Sequence, residues 1–308
     1  MGERIAVTYT VDIGIACSGS QYSEWWSPLI GKLLQEQQRG IVFGQILTPR
    51  SAVPDHNKNN MIGASILPEA HVGSEEDKKR NDLTDANRQA ISKGFLGGSL
   101  VNKVKSDWLF TIDDDVVWPD GTLTHLLSLD KPFVAGLYFN PKKPYNPIAY
   151  MRYENGLYAS IHGYPKGALY PVDSVGMGCT LIHRSVFEKI LEEYVVYMRP
   201  NASLVPVHKG AIWGSTKRHK GKLDNFVEDG YLHTRVGKPD ADDDRLFPFF
   251  SLENGRTEDH HFCELCAGVG IRPWVDTNVV CGHWKPQETT EADYKREELR
   301  REGIDPGQ

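Results

Sequence analysis

The chain has 308 residues, 40% hydrophobic and 25% charged, with 29 glycines and 18 prolines, a composition expected of a folded protein long enough for one large α/β domain or two small ones. Its net charge of −6, from 35 basic against 41 acidic residues, provides no overall field to grip phosphates, so nucleic acid is not an expected partner. No apolar run is long enough to span a bilayer, and Met1-Gly2-Glu3-Arg4 does not open a signal peptide, so a cytoplasmic location without a membrane span is expected.

In chain order, Val11 to Cys17 is a short apolar run. Ser23 to Gln38 carries Trp26, Leu29, Ile30, Leu33 and Leu34 at helical spacing, and Ile41 to Leu47 is apolar again, which together predict a βαβ unit. Residues 54–79 are polar without a period and read as a loop, and a helical stretch begins at Thr84. Trp108 to Asp115 is a strand of apolar and aromatic residues that ends in three acids. A helix is predicted from Pro119 through Leu123, Leu126 and Leu127, and a strand over Phe133 to Tyr138. Val172 to His183 reads as a strand interrupted by Gly176-Met177-Gly178, which marks either a backbone approaching a ligand or a bulge. Ser185-Val186-Phe187-Glu188 reads as a capping box that opens a helix. The 199–244 segment lacks a strong period and reads as an irregular insertion or lid. It carries basic residues from Lys217 to Lys222 and a second acidic triplet, Asp242 to Asp244, for which a solvated loop is the plainer reading. Glu258-Asp259 opens a helix with Phe262, Cys263, Cys266 and Ala267 on one face, closed by Gly268 and Gly270. Val279 to Cys281 then reads as a strand before Gly282-His283.

Alternating strands and helices predict a mostly parallel sheet covered by helices, with ligands bound outside the carboxyl ends of the strands. Asp113, Asp114 and Asp115 stand at such an end. Packed carboxylates raise one another's pKa unless a cation neutralises them, and hard oxygen ligands suit Mg²⁺ or Mn²⁺. The plainer alternative is an acidic loop in water. Five cysteines scattered through apolar segments fit reduced core thiols. Cys263 and Cys266 form a CxxC beside His260 and His261, but no second ligand pair completes a zinc site at finger-like spacing.

Over roughly residues 8–285, the order of these pieces resembles the GT-A nucleotide-sugar-dependent glycosyltransferases, particularly the family 2-like enzymes. Asp113 and Asp115 resemble the acids of their DxD motif. Glu258-Asp259 resembles the acidic motif that supplies the base, and Gly282-His283 the terminal histidine that some members add to the metal shell. The resemblance implies a GT-A, Rossmann-like α/β fold in one domain. Residues 8–140 would hold the nucleotide sugar, 141–285 would hold the acceptor and include the insertion, and 286–308 would be a C-terminal tail. It implies a divalent metal, Mn or Mg, bound by Asp115, His283 and Asp113, and a nucleotide diphosphate sugar as donor. Asp113, Asp114, Arg88 and Arg50 would hold that donor, with Asp259, next to Glu258, acting as general base of an inverting transfer to an acceptor hydroxyl. The helix start at Asn87-Arg88 matches the family loosely, and 199–244 has no counterpart in it. The acceptor itself, whether saccharide, small molecule or macromolecule, is not specified by the sequence.

Two other classes bear weighing. A nucleotidyltransferase uses a similar sheet and metal but opens with a glycine-rich loop and a basic residue. Here Cys17-Ser18-Gly19-Ser20-Gln21 has one glycine and no base. A binding module that has lost catalysis need not keep Asp113, Asp115, Asp259 and His283 together.

Overall fold

The computed structural model describes residues 8–16, 23–47, 88, 106–198, 204–210, 225–228, 231–235, 247–251, 257–285 and 287–303. The chain opens with β1 (Tyr9–Ala16), α1 (Ser23–Gln38) and β2 (Ile41–Leu47), the βαβ unit expected from the periodicity. Next come β3 (Trp108–Asp113), the two-residue β4 (Val116–Val117), α2 (Thr122–Ser128) and β5 (Phe133–Leu137). The strands β6 (Ala149–Arg152), β7 (Tyr158–Ser160), β8 (Leu169–Pro171), β9 (Ser174–Val175) and β10 (Cys179–His183) lead to α3 (Arg184–Glu193). Strands β11 (Tyr194–Met198), β12 (Leu204–His208), β13 (Asn225–Glu228) and β14 (Tyr231–Arg235) precede α4 (Glu258–Gly268). The chain then runs through β15 (Trp274–Val280), β16 (Gly282–Lys285), β17 (Gln287–Thr289) and α5 (Glu291–Arg301).

Seven strands form the central sheet in the order β2-β1-β3-β10-β5-β15-β8. Strands β2, β1, β3, β5 and β15 run the same way, while β10 and β8 run against them. The architecture is therefore the expected mixed α/β, Rossmann-like sheet flanked by helices. Because successive side chains on a strand face opposite ways, β3 sends Leu109 into one core and Phe110 and Ile112 into the other. The first core includes Phe133, Phe187 and Phe262 from β5, α3 and α4, and the second gathers Leu29, Leu33, Leu123 and Leu126 from α1 and α2. Phe262 is fully buried with ring centroids of Phe250, Phe187 and Phe133 at 4.7, 5.4 and 5.6 Å.

Several sequence expectations are corrected. The helix expected from Pro119 begins at Thr122, because Gly121 takes a left-handed φ of 80° and Thr122 Oγ1 bonds back to the Pro119 carbonyl at 2.7 Å. The helix at Ser185 starts at Arg184 and is capped by His183, whose Nδ1 accepts from the Ser185 N–H at 3.2 Å, so Ser185 is not its cap. The apolar run Val172 to His183 splits into β9, which pairs with β6, and β10, which belongs to the central sheet. The insertion expected to be irregular contains β12, β13 and β14, which join β11 in a four-stranded antiparallel sheet. Strands of four or five residues are too short to register as a period in a polar segment. The 286–308 stretch, expected as a tail, carries β17 and α5, the latter fixed by a capping box between Thr290 and Asp293. Its Tyr294 stacks on Phe139 at 5.0 Å. The loop over 54–79, Gly19, Arg50, the basic residues from Lys217 to Lys222 and the triplet Asp242 to Asp244 lie outside the described residues.

Candidate functional site

Strand β1 has β2 on one side and β3 on the other, so the direction in which the sheet is built reverses at β1. The crevice outside the carboxyl ends of the strands at such a reversal is where open α/β sheets bind ligands. Ala16 pairs with Asp113 there, and the Asp114 N–H donates to the Ala16 carbonyl at 3.1 Å. The acidic triplet therefore turns out of β3 at this crevice, with Asp114 and Asp115 buried. The same edge receives Tyr138 after β5 and His283 on β16, which follows β15. Gly176-Met177-Gly178 precedes the reversed strand β10, and the first turn of α4 contributes Glu258 and Asp259. Thr257 caps that helix by accepting from the His260 N–H, and carboxylates in a first turn are favoured by the helix dipole.

Arg88 is the hub of the charged groups. Its Nη2 bonds Asp113 Oδ1 and Oδ2 at 3.0 and 3.2 Å, and its Nε lies 3.3 Å from Glu258 Oε1 and 3.1 Å from Asp259 Oδ1. Burial works to release the Arg88 proton, but Asp113, Asp259 and Glu258 outweigh it and hold the guanidinium firmly charged. Asp113 moves up from the usual carboxylate value because burial and Asp115 oppose its charge more than Arg88 and His283 support it. Asp259 is pushed well above that value, first by burial and then by Glu258 and Asp113. Arg88 and the Met177 N–H, which donates to Oδ2 at 3.2 Å, pull the other way. Asp259 Oδ1 is buried and receives no hydrogen bond among the described residues, although Arg88 Nε sits beside it.

His283 makes the second charged pair, with Nε2 3.3 Å from Asp115 Oδ1 and Nδ1 2.7 Å from the Phe139 carbonyl. A carbonyl only accepts, so Nδ1 carries a proton and Nε2 is the nitrogen free to exchange a proton for a metal. Burial pulls the imidazole down, but the bonds to Asp115 and Phe139 win and raise it above 6.5. Among the described residues no three His, Cys, Asp or Glu side chains are disposed around one metal position.

The structure thus brings together Arg88, Asp113, Glu258 and Asp259, and sets Asp115 against His283. It places Asp114 in the turn between them. The CxxC residues instead serve the core. Burial lifts the Cys263 thiol to about 12, and its Sγ lies 3.9 Å from the Val175 carbonyl. His260 Nδ1 meets Ser174 Oγ at 2.6 Å, and His261 Nε2 meets the Pro248 carbonyl at 3.1 Å.

The glycine pair also finds a different cause from the one expected. A Cβ at Gly176 would collide with Tyr138 Oη and stand 2.6 Å from Ile148 Cγ2, and one at Gly178 would stand 2.9 Å from Asp113 Oδ2 and 3.0 Å from Tyr138 Oη. These glycines make room for Tyr138, which the sequence marks only as the end of the strand expected over Phe133 to Tyr138. The usable signal was a strand ending in a tyrosine opposite a G-x-G on the antiparallel neighbour. Burial, then Asp113 and Asp259, push the Tyr138 phenol well above its ordinary value, so it keeps its proton.

No protein-family model matches the chain, and no curated protein matches its sequence. Among solved structures the chain is similar to one described as the crystal structure of A197 from STIV, at 15% sequence identity and a TM-score of 0.39, over 89% of this chain and 85% of that one.

Proposed function

We propose that the chain is a metal-dependent glycosyltransferase of the GT-A, family 2-like kind, which moves a sugar from a nucleotide diphosphate sugar to an acceptor hydroxyl with inversion. One observation carries the reading. Four carboxylates, from Asp113, Asp115, Glu258 and Asp259, crowd the reversal point of the sheet, three of them on the Arg88 guanidinium and the fourth on the His283 imidazole. Burial and this crowding of like charges raise the pKa values of Asp113 and Asp259.

A divalent cation fits this donor set. Mg²⁺ and Mn²⁺ take one or two protein carboxylates and complete their shell with phosphate oxygens and water, and the His283 tautomer aims Nε2 at Asp115. Asp115 and His283 would hold the ion, which when bound supplies Lewis-acid stabilisation to a leaving diphosphate. Asp113, clamped by Arg88, is left to receive the donor, together with Asp114. Asp259 is oriented by the Met177 N–H on Oδ2, which leaves Oδ1 to accept the proton of the attacking hydroxyl. Its raised pKa makes it a stronger base than an ordinary carboxylate, and Glu258 contributes to that rise.

The test is hydrolysis and transfer with UDP-, GDP-, CDP- and TDP-sugars in Mn²⁺. The reading predicts release of a nucleoside diphosphate, abolished in Asp115→Ala. Synthesis of a nucleotide sugar from an added nucleoside triphosphate and sugar 1-phosphate, with pyrophosphate as by-product, would mark a nucleotidyltransferase, and binding without turnover would mark a module without catalysis.

A further inference from the structure

The Tyr138 side chain is 3% exposed, and its Oη accepts a hydrogen bond from the Gly178 N–H at 3.0 Å. That bond uses a lone pair and leaves the phenol proton over. Among the described residues no acceptor takes it. A phenylalanine would remove that unspent donor but would leave the buried Gly178 N–H without its acceptor, so the backbone bond accounts for the oxygen and not for its proton. Gly176 and Gly178 also leave room for the tyrosine, since a side chain at either would collide with it, and with Ile148 or Asp113 as well. The ring centroid lies 5.7 Å from that of His283, and the hydroxyl is near enough to Asp113 and Asp259 for both to bear on its proton.

Two ligand groups can accept such a proton, a phosphate oxygen or a sugar hydroxyl. In the reading above the diphosphate is already met by the cation at Asp115 and His283. A hydroxyl is both acceptor and donor, so its oxygen can take the Tyr138 proton while its own proton goes to a carboxylate. Resting on the glycosyltransferase reading above, we infer that Tyr138 is a specificity-determining residue that donates a hydrogen bond to a hydroxyl of the transferred sugar.

The experiment is calorimetry in Mn²⁺ with UDP, GDP, CDP and TDP and with their sugar conjugates, on wild type and Tyr138→Phe, with melting temperatures alongside. Tyr138→Phe should bind the preferred nucleoside diphosphate within twofold of wild type, yet bind its sugar conjugate at least tenfold more weakly. One monodeoxy form of the sugar should show the same loss on wild type and no further loss on Tyr138→Phe. Equal loss for diphosphate and conjugate would reduce Tyr138 to a support for the site, and no loss for either would also overturn the proposal. If Tyr138→Phe does not fold, the deoxy series on wild type decides, and no analogue weakened tenfold would overturn it. If wild type binds none of the nucleotides in Mn²⁺, the glycosyltransferase reading itself fails and this inference falls with it.

Discussion

Two sets of buried carboxylates divide the labour in this molecule. Glu36, fully buried on α1, accepts from the Leu123 and Thr124 N–H groups at 3.3 and 3.1 Å, from Thr124 Oγ1, and from Arg39 at 3.3 Å. It caps α2 from outside, where Gly121 at the N-cap has no side chain to do so. Asp276 is likewise spent, on His125 at 2.5 Å and on the Asn278 backbone and side chain at 2.8 and 2.9 Å. At the opposite extreme, Asp113, Glu258 and Asp259 divide one arginine among them, and a buried oxygen of Asp259 takes no hydrogen bond among the described residues. Carboxylates of the first kind hold helices and strands in place. Those of the second kind retain capacity for a ligand, and the structure bears the cost of keeping them close.

If that contrast is right, substitutions on the two sides should fail in different ways. The largest loss of stability should come from Arg88→Met, which strands the buried Glu258 and the partly buried Asp113 and Asp259. Removing one partner of a buried ionic cluster costs about 3–5 kcal/mol, so urea unfolding should show a loss in that range, and a loss below about 1 kcal/mol would show that the cluster is solvated. Asp259→Asn should do the reverse, cutting turnover by about two orders of magnitude or more while donor affinity holds. Its melting temperature should stay level or rise, because a strained charge has been removed. A stable Asp259→Asn with near-normal turnover would take Asp259 out of the chemistry and reopen a retaining reaction. On the structural side, Glu36→Gln should lose about 1–2 kcal/mol with turnover intact.

The smallest effect is one of pH. Asp113, Asp259 and His283 all hold protons in the native state to higher pH than in the unfolded chain. The folded form therefore binds more protons, and stability without metal should fall as pH rises from the carboxylate range through the raised native pKa values. A cation replaces those protons, so stabilisation by Mn²⁺ should grow from pH 5.5 to pH 8. Differential scanning fluorimetry at the two pH values measures both trends. A metal effect independent of pH would dissociate His283 from the ion.

Much of this arrangement was legible in the sequence because burial leaves periodic traces. The helix Ser23–Gln38 and the strand Ile41–Leu47 fall where apolar spacing placed them. The run into Asp113 is a strand that ends at the crevice. Glu258 and Asp259 stand in a helix first turn beside that crevice. What escaped notice was carried by single contacts between distant parts of the chain. Glu36 capping α2 across 87 residues leaves no local signal, and neither does His183 taking over a cap that Ser185 advertised. Gly176 and Gly178 announced a close approach without saying of what, and only the pairing of β10 with β5 shows that the visitor is Tyr138. The arginine hub rests on a loose motif match in the sequence, and two of its three partners, Glu258 and Asp259, lie 170 residues or more along the chain from it. The short strands β12 to β14 lie in a polar stretch where pattern carries too little contrast to register.

The central claim is that Asp115 and His283 hold a divalent cation that binds a nucleoside diphosphate at the sheet's reversal point. The most direct measurement is the melting temperature of wild type and Asp115→Ala with UDP, GDP, CDP or TDP, each with Mn²⁺ or with chelator. A ligand that binds only the native state raises that temperature in proportion to its occupancy and affinity. The account predicts a rise for at least one nucleotide in Mn²⁺, no rise in chelator, and none in Asp115→Ala under either condition. An equal rise in chelator, or a rise that survives Asp115→Ala, would contradict it.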